Sequence, residues 1–198
     1  MQEKYSVCII GLWHLGCVTA SCLSSLGIKT LAFDPDEKLV DNLKKSIAPI
    51  YEPGMKELIS EGLGKKNLHF TSNINDIGNN NIYWITYDTP VNYDDSADID
   101  YIINSICSLN KQIKSESNII ISSQIPVGTS ELILNIFKNQ YDKNIKIFYI
   151  PENLRLGKSL DVFLNPDRIV IGKDLESEIS EVKTLLDKIS SKQIWMSN

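Results

Sequence analysis

Only two histidines and four cysteines occur among the 198 residues. Cys8, Cys17, Cys22 and Cys107 show no Cys-x-x-Cys spacing and no neighbouring histidine cluster, which removes a zinc site or a redox pair from the expectations. Such free cysteines behave as small buried hydrophobes, and all four are expected to be packing residues. The sequence also has no apolar run near the roughly 20 residues that a bilayer-crossing helix needs. Met1-Gln2-Glu3-Lys4 leads into an apolar strand pattern without signal-peptide character, so a cytoplasmic protein without membrane contact is expected. There is no basic stripe either: the formal charge is -5, and the lysines are scattered among acids. That leaves no electrostatic footprint for nucleic acid. No internal repeat or low-complexity linker divides the chain, so residues 1–198 are expected to form one domain.

What is present is an ordinary globular composition, 42% hydrophobic and 23% charged, with enough chain for a substantial core. Short β-rich apolar runs alternate with longer helical patterns almost from end to end. This is the mark of βαβ units and predicts an α/β fold of Rossmann type: a doubly wound, mainly parallel sheet with helices on both faces. Strands are expected over Ser6–Ile10, Lys29–Asp34, Leu68–Thr71, Ile82–Thr86, Asn118–Ser122, Lys146–Ile150 and Arg168–Ile171. Helices are expected over Leu15–Leu26, from an N-cap at Asp36, and over Gly54–Glu61, Ile99–Lys114, Thr129–Lys138 and Glu176–Ile189. Asn79-Asn80-Asn81 and Asn92–Asp95 read as surface loops.

The segment Val7-Cys8-Ile9-Ile10-Gly11-Leu12-Trp13-His14-Leu15-Gly16 sets a strand, a tight turn and a helix start in the order a dinucleotide site requires. Unpaired N–H groups and the positive end of the helix dipole attract a pyrophosphate. Gly11 permits the sharp turn, and Gly16 lets the helix pack closely on the strand. Asp34 follows Gly16 by 18 residues, at the end of the second strand, where a carboxylate accepts hydrogen bonds from the adenosine ribose. That carboxylate would repel a 2′-phosphate and favours NAD over NADP. The middle glycine of G-x-G-x-x-G is replaced by Trp13, whose side chain must turn away for the pyrophosphate to approach. Trp13 and His14 can equally be read as a packing tryptophan and a solvated loop histidine.

Downstream, five motifs occur in fixed order: Pro49-Ile50-Tyr51-Glu52-Pro53-Gly54, Asp88-Thr89-Pro90, Ser123-Gln124-Ile125-Pro126-Val127-Gly128-Thr129, Pro151-Glu152-Asn153-Leu154-Arg155-Leu156-Gly157 and Pro166-Asp167-Arg168-Ile169-Val170-Ile171-Gly172. That series resembles the UDP-glucose/GDP-mannose dehydrogenase family over nearly the whole chain. Thr89 and Ser123 follow strands at the carboxyl edge of the sheet, where ligands of open α/β folds bind. Their hydroxyls can meet the cofactor or satisfy their own turns. Pro166-Asp167-Arg168 reads as a turn with an internal ion pair or cap before the last strand.

The resemblance implies NAD as cofactor, held by Gly11, Leu12, Trp13, His14, Leu15, Gly16, Asp34, Asp88, Thr89, Pro90 and Ser123. It implies that Glu152 acts as acid or base, a role suited to a glutamate among apolar neighbours. Glu152, Asn153, Leu154 and Arg155 would line a nucleotide sugar, UDP-glucose or a related one. Gln124 stands where the family typically has a catalytic threonine, Leu156 where a second glutamate is common, and Leu39 where a basic residue is expected. These departures put the identity of the sugar nucleotide in doubt, and they leave open a noncatalytic nucleotide-binding module that keeps the fold.

Family members oxidise a primary alcohol to a carboxylate in two hydride transfers to NAD, through a covalent adduct on a cysteine located beyond this domain. None of the four cysteines lies in a comparable segment, so this chain alone is expected to be inactive. By the same resemblance, a dimer is expected for a full-length enzyme and a monomer or weak oligomer for this chain.

Overall fold

The strand β1 (Val7–Ile10) shows how this chain builds its two-faced core. All four residues are buried, but alternate side chains enter different clusters: Val7 and Ile9 join one, Cys8 and Ile10 the other. Burial on both faces explains why the strand reads as a continuous apolar run. The computed structural model describes residues 5–174 and 178–197. After β1 come α1 (His14–Ser25), β2 (Thr30–Phe33), α2 (Glu37–Leu43), α3 (Met55–Gly64), β3 (Leu68–Thr71) and a 3₁₀ turn over Ile74–Asn79. Then follow β4 (Ile82–Ile85), α4 (Ile99–Ser108), β5 (Asn118–Ile121), α5 (Thr129–Tyr141), β6 (Lys146–Tyr149), α6 (Ser159–Leu164), β7 (Ile169–Lys173), α7 (Ser180–Leu186) and β8 (Gln193–Ser197).

The eight strands form one sheet in the order β3-β2-β1-β4-β5-β6-β7-β8. Every pairing is parallel except β6 with β7. The strand order reverses between β1 and β4. That is the switch point where a doubly wound sheet opens a crevice beyond its carboxyl ends. One cluster packs α1, α3, α6 and α7 against one face of the sheet, and the other packs α4 and α5 against the opposite face.

The expected α/β class and all seven expected strands are present, with ends moved by one or two residues. The helix expected over Ile99–Lys114 stops at Ser108. Leu109 and Ile113 remain fully buried, so the apolar period continues through the turn after the helix has ended. Asn110 donates its side-chain amide to the Cys107 carbonyl at that end. The start of the helix expected from Glu176 lies outside the described residues, and the helix proper runs over Ser180–Leu186. Asn80, read as a surface loop, is buried and donates to the Ile77 carbonyl.

Besides the 3₁₀ turn over Ile74–Asn79, two elements were not anticipated. The helix α6 has only six residues, too few for a helical period to register. β8 is an edge strand with Ile194 and Met196 exposed, so it lacks the alternation that marks a half-buried strand. It makes β7 the penultimate strand. Pro166-Asp167-Arg168 forms a bend before β7, without an ion pair between Asp167 and Arg168.

Candidate functional site

The chain leaves β1 through Gly11, whose φ of +93° is open to glycine at little cost. Its N–H donates to the Phe33 carbonyl at 3.0 Å. A Cβ at Gly11 would stand 2.6 Å from the Tyr87 ring, and one at Gly16 only 1.8 Å from the Gly11 carbonyl oxygen. Thr86 closes the turn from β4, donating its hydroxyl to the carbonyls of Ile10 (3.1 Å) and Gly11 (2.7 Å). Trp13 occupies the N-cap of α1 and makes no side-chain cap hydrogen bond, so no side chain competes there for the first-turn N–H groups. Those groups and the helix dipole suit an anion.

Asp34 sits just past β2, half-buried. One carboxylate oxygen accepts the Leu12 N–H at 2.7 Å and the other accepts the Asp36 N–H at 2.9 Å. Asp36 in turn caps α2 by accepting the Leu39 N–H at 3.0 Å, as expected of it. A cleft of about 520 Å³ opens here, bordered by Gly11, Trp13, Asp34, Leu39, Tyr87 and Asp88. Trp13 is 47% exposed along its rim, which leaves the backbone of the turn approachable. Burial raises the pKa of the Tyr87 hydroxyl, with Asp34 adding to the shift. Partial desolvation raises the pKa of Asp88 from its ordinary value, with His14 opposing the shift. Asp34, Asp36 and Asp88 outnumber Lys38 around the cleft, a balance that disfavours an extra phosphate on the ribose. A glycine turn, an uncapped helix start and a ribose-height carboxylate together fit a dinucleotide.

The neighbouring loops converge on the same edge. The Thr89 hydroxyl donates to the Gln124 carbonyl at 2.7 Å, tying the loop after β4 to the loop after β5. Ser122 accepts the Trp84 indole N–H at 2.9 Å and donates to the Ile150 carbonyl at 2.8 Å, lashing together the ends of β4, β5 and β6. Ser123 is buried, and its hydroxyl has no hydrogen-bond partner among the described residues. The Gln124 side chain is exposed, as are Asp88 and Pro90. Beyond β6, half-buried Glu152 accepts the Leu154 N–H at 2.7 Å. Asn153 and Arg155 are exposed, while Leu154 packs against the core. Leu12 and Gly16 are buried and Leu15 partly so.

The His14 ring turns toward Glu52. Its Nε2 lies 3.1 Å from a carboxylate oxygen of Glu52 and 3.4 Å from the Ser159 hydroxyl. Glu52 belongs to a motif that the sequence singled out, but no role was attached to it. Its side chain is 1% exposed, and it also accepts the N–H groups of Gly157 (3.0 Å) and Ser159 (2.9 Å). Burial alone would raise its pKa, but these three contacts, with a smaller contribution from the Ser159 hydroxyl, outweigh it and hold the carboxyl below its ordinary value. A buried glutamate between two prolines, in a chain with so few histidines, was the available signal.

The cysteines pack as expected. Cys8, Cys17 and Cys22 are buried in β1 and α1, and burial raises all three thiols, Cys22 to about 12. Cys107 is partly buried and also raised by desolvation. No helix among the described residues is long and apolar enough to cross a membrane.

Residues 5–190 match the family described as UDP-glucose/GDP-mannose dehydrogenase family, NAD binding domain. The UDP-glucose 6-dehydrogenase TuaD of Bacillus subtilis is 30% identical over 159 residues, covering 78% of this chain and 34% of its own length. The UDP-glucose 6-dehydrogenase of Pseudomonas aeruginosa is 30% identical over 160 residues, 78% of this chain and 35% of its own. The chain thus spans about a third of the length of these relatives. Among solved structures, a UDP-glucose dehydrogenase from Pyrobaculum islandicum superposes with a TM-score of 0.87 at 25% identity, covering 99% of this chain and 47% of its own.

Proposed function

The chain belongs to the UDP-glucose/GDP-mannose dehydrogenase family as its NAD-binding domain, and we propose that it holds NAD across the carboxyl edge of β1 and β2 while the loop after β6 presents a nucleotide sugar. The turn from Gly11 to Gly16 takes the pyrophosphate, and Asp34 takes the adenosine ribose. Asp88, Thr89, Pro90 and Ser123 border the remainder of the cofactor. Glu152 moves a proton or orients water, Gln124 assists in that chemistry, and Asn153, Leu154 and Arg155 line the sugar nucleotide. When bound, NAD supplies the hydride acceptor.

The overall reaction is oxidation of the C6 alcohol of a UDP-sugar to a carboxylate, supported by the names of the relatives. Such a reaction calls for a nucleophilic thiolate, and the raised thiols of Cys8, Cys17, Cys22 and Cys107 are poorly suited to supply it. Residues 1–198 therefore serve as the cofactor domain and do not complete the oxidation by themselves.

One observation carries this reading: the Asp34 carboxylate braces Leu12 beside Gly11, in the position from which it can face a ribose. Calorimetric titration with NAD, with NADP as control, tests it. NAD should bind more tightly than NADP, and Asp34→Ala should lose about tenfold or more in affinity while circular dichroism shows the fold intact. Equal binding of the two nucleotides, or an Asp34→Ala variant that binds NAD as well as the parent, would refute the assignment.

A further inference from the structure

Glu52 carries more converging donors than any residue of the cofactor turn itself, and they come from both sides of the site. One oxygen accepts from His14, the first residue of α1, and from the Gly157 N–H; the other accepts from the Ser159 N–H, which opens α6. The two segments are joined to Glu52 across 38 residues on one side and 105 and 107 on the other. An ionised carboxylate only accepts, so the His14 Nε2 carries a hydrogen in this contact. The Ser159 hydroxyl is committed to the Arg155 carbonyl at 2.9 Å, fixing the far side of the loop in the same cluster.

We propose that Glu52 is a positioning residue that couples the cofactor turn to the loop carrying Glu152–Arg155, with His14 as the link from the cofactor side. The inference rests on the cofactor reading above and extends it to residues outside the cleft. Its physical basis is that His14 and the Gly157 N–H share one oxygen. Any displacement of α1's first turn on cofactor binding changes the partner of that oxygen and so the anchoring of Gly157. The loop is held upstream by β6 and downstream by Glu52. Its residues can be placed to within a fraction of an ångström only while both anchors hold, the accuracy that productive geometry demands.

His14 is the residue to change, because its side chain is 17% exposed whereas that of Glu52 is buried at the centre of the cluster. Amide spectra of the full chain, recorded during NAD titration, read the coupling at Gly157 and Ser159, while calorimetry on the same samples reads binding. In the parent, both amide signals should shift along the same saturation curve as the heat. At saturating NAD, whatever its affinity, His14→Ala should lose most of that shift. His14→Gln, which returns an N–H near the position of Nε2, should restore it. A merely structural role for His14 predicts no such rescue of a ligand-dependent signal. The proposal is overturned if NAD binds yet leaves Gly157 and Ser159 unmoved, or if His14→Ala keeps the parental shift. A folded parent that gives no heat with NAD overturns the cofactor reading instead, and the coupling falls with it.

Discussion

Two clefts of similar size lie at opposite ends of the sheet, and only one of them has the marks of a site. The cleft at the amino ends of the strands, about 550 Å³, is lined by Tyr5, Asn81, Glu181, Thr184 and Lys188 among others. Its polar groups largely satisfy one another: Glu181 accepts from the side chains of Asn118 at 2.8 Å and Asn81 at 3.3 Å, and the Thr184 hydroxyl donates to Ser180. The cleft at the carboxyl ends is slightly smaller, about 520 Å³. There the backbone turns through a left-handed glycine, and a helix begins without a side-chain cap. Nearby, the buried Ser123 hydroxyl is without a partner among the described residues. Volume does not separate the two ends. The left-handed glycine turn does, together with a helix start whose first turn carries no acidic side chain, where α7 carries Glu181.

The sharpest way to break this comparison is at Gly16. A Cβ there would overlap the Gly11 carbonyl and stand 2.8 Å from the Thr86 hydroxyl, so the turn and the helix cannot both keep their places. Gly16→Ala should cost about 3 kcal/mol or more in urea unfolding and abolish NAD binding in calorimetry. Glu181→Gln at the other end should cost less than about 1 kcal/mol, since Glu181 is exposed and the variant keeps an amide oxygen to accept from Asn118, and leave NAD affinity unchanged. If Glu181→Gln weakened NAD binding as much as Gly16→Ala, the distinction between the two edges would collapse.

A second test uses acid. The folded-state pKa of Glu52 is depressed, so its carboxylate contributes stability that is present above the ordinary glutamate value of 4.5 and lost as pH falls through the folded value. Glu52→Gln removes the charge while leaving three donors facing it, at a cost of about 3 kcal/mol near neutrality. The gap in unfolding free energy between parent and variant should therefore narrow as the pH drops below 4.5. A gap that stayed constant from pH 7 down to about 3 would show that Glu52 does not act through its ionised form.

Gly11, Gly16 and Asp34 were legible in the sequence because they act within one βαβ unit, where spacing along the chain determines spacing in space. The alternation of strands and helices was legible for the same reason: each buried strand carries its own apolar run. What escaped was non-local or short. Glu52 meets partners more than a hundred residues away, and its motif says nothing of which segment it faces. His14 was legible by its position in the turn, but the contact of its ring with Glu52, 38 residues on, was not. α6 and β8 are held by their neighbours, Leu160 and Trp195 packing onto the core, more than by any pattern of their own.

The smallest expected effect discriminates most finely. Ser123 lies in the motif after β5, its hydroxyl is buried, and it has no partner among the described residues. In a sealed core an unpaired hydroxyl is simply a cost, and replacing it by hydrogen would be neutral or stabilising. At a ligand edge the same hydroxyl is held in reserve for a bond that forms only on binding. Both roles predict that Ser123→Ala unfolds at the parental urea concentration or slightly above it. They diverge in calorimetry. A hydroxyl that meets the cofactor contributes about 1 kcal/mol to binding, so the variant should lose about fivefold in NAD affinity with stability unimpaired. Unchanged affinity would make Ser123 a packing residue and shrink the cofactor edge to the turn, Asp34 and the loop after β4.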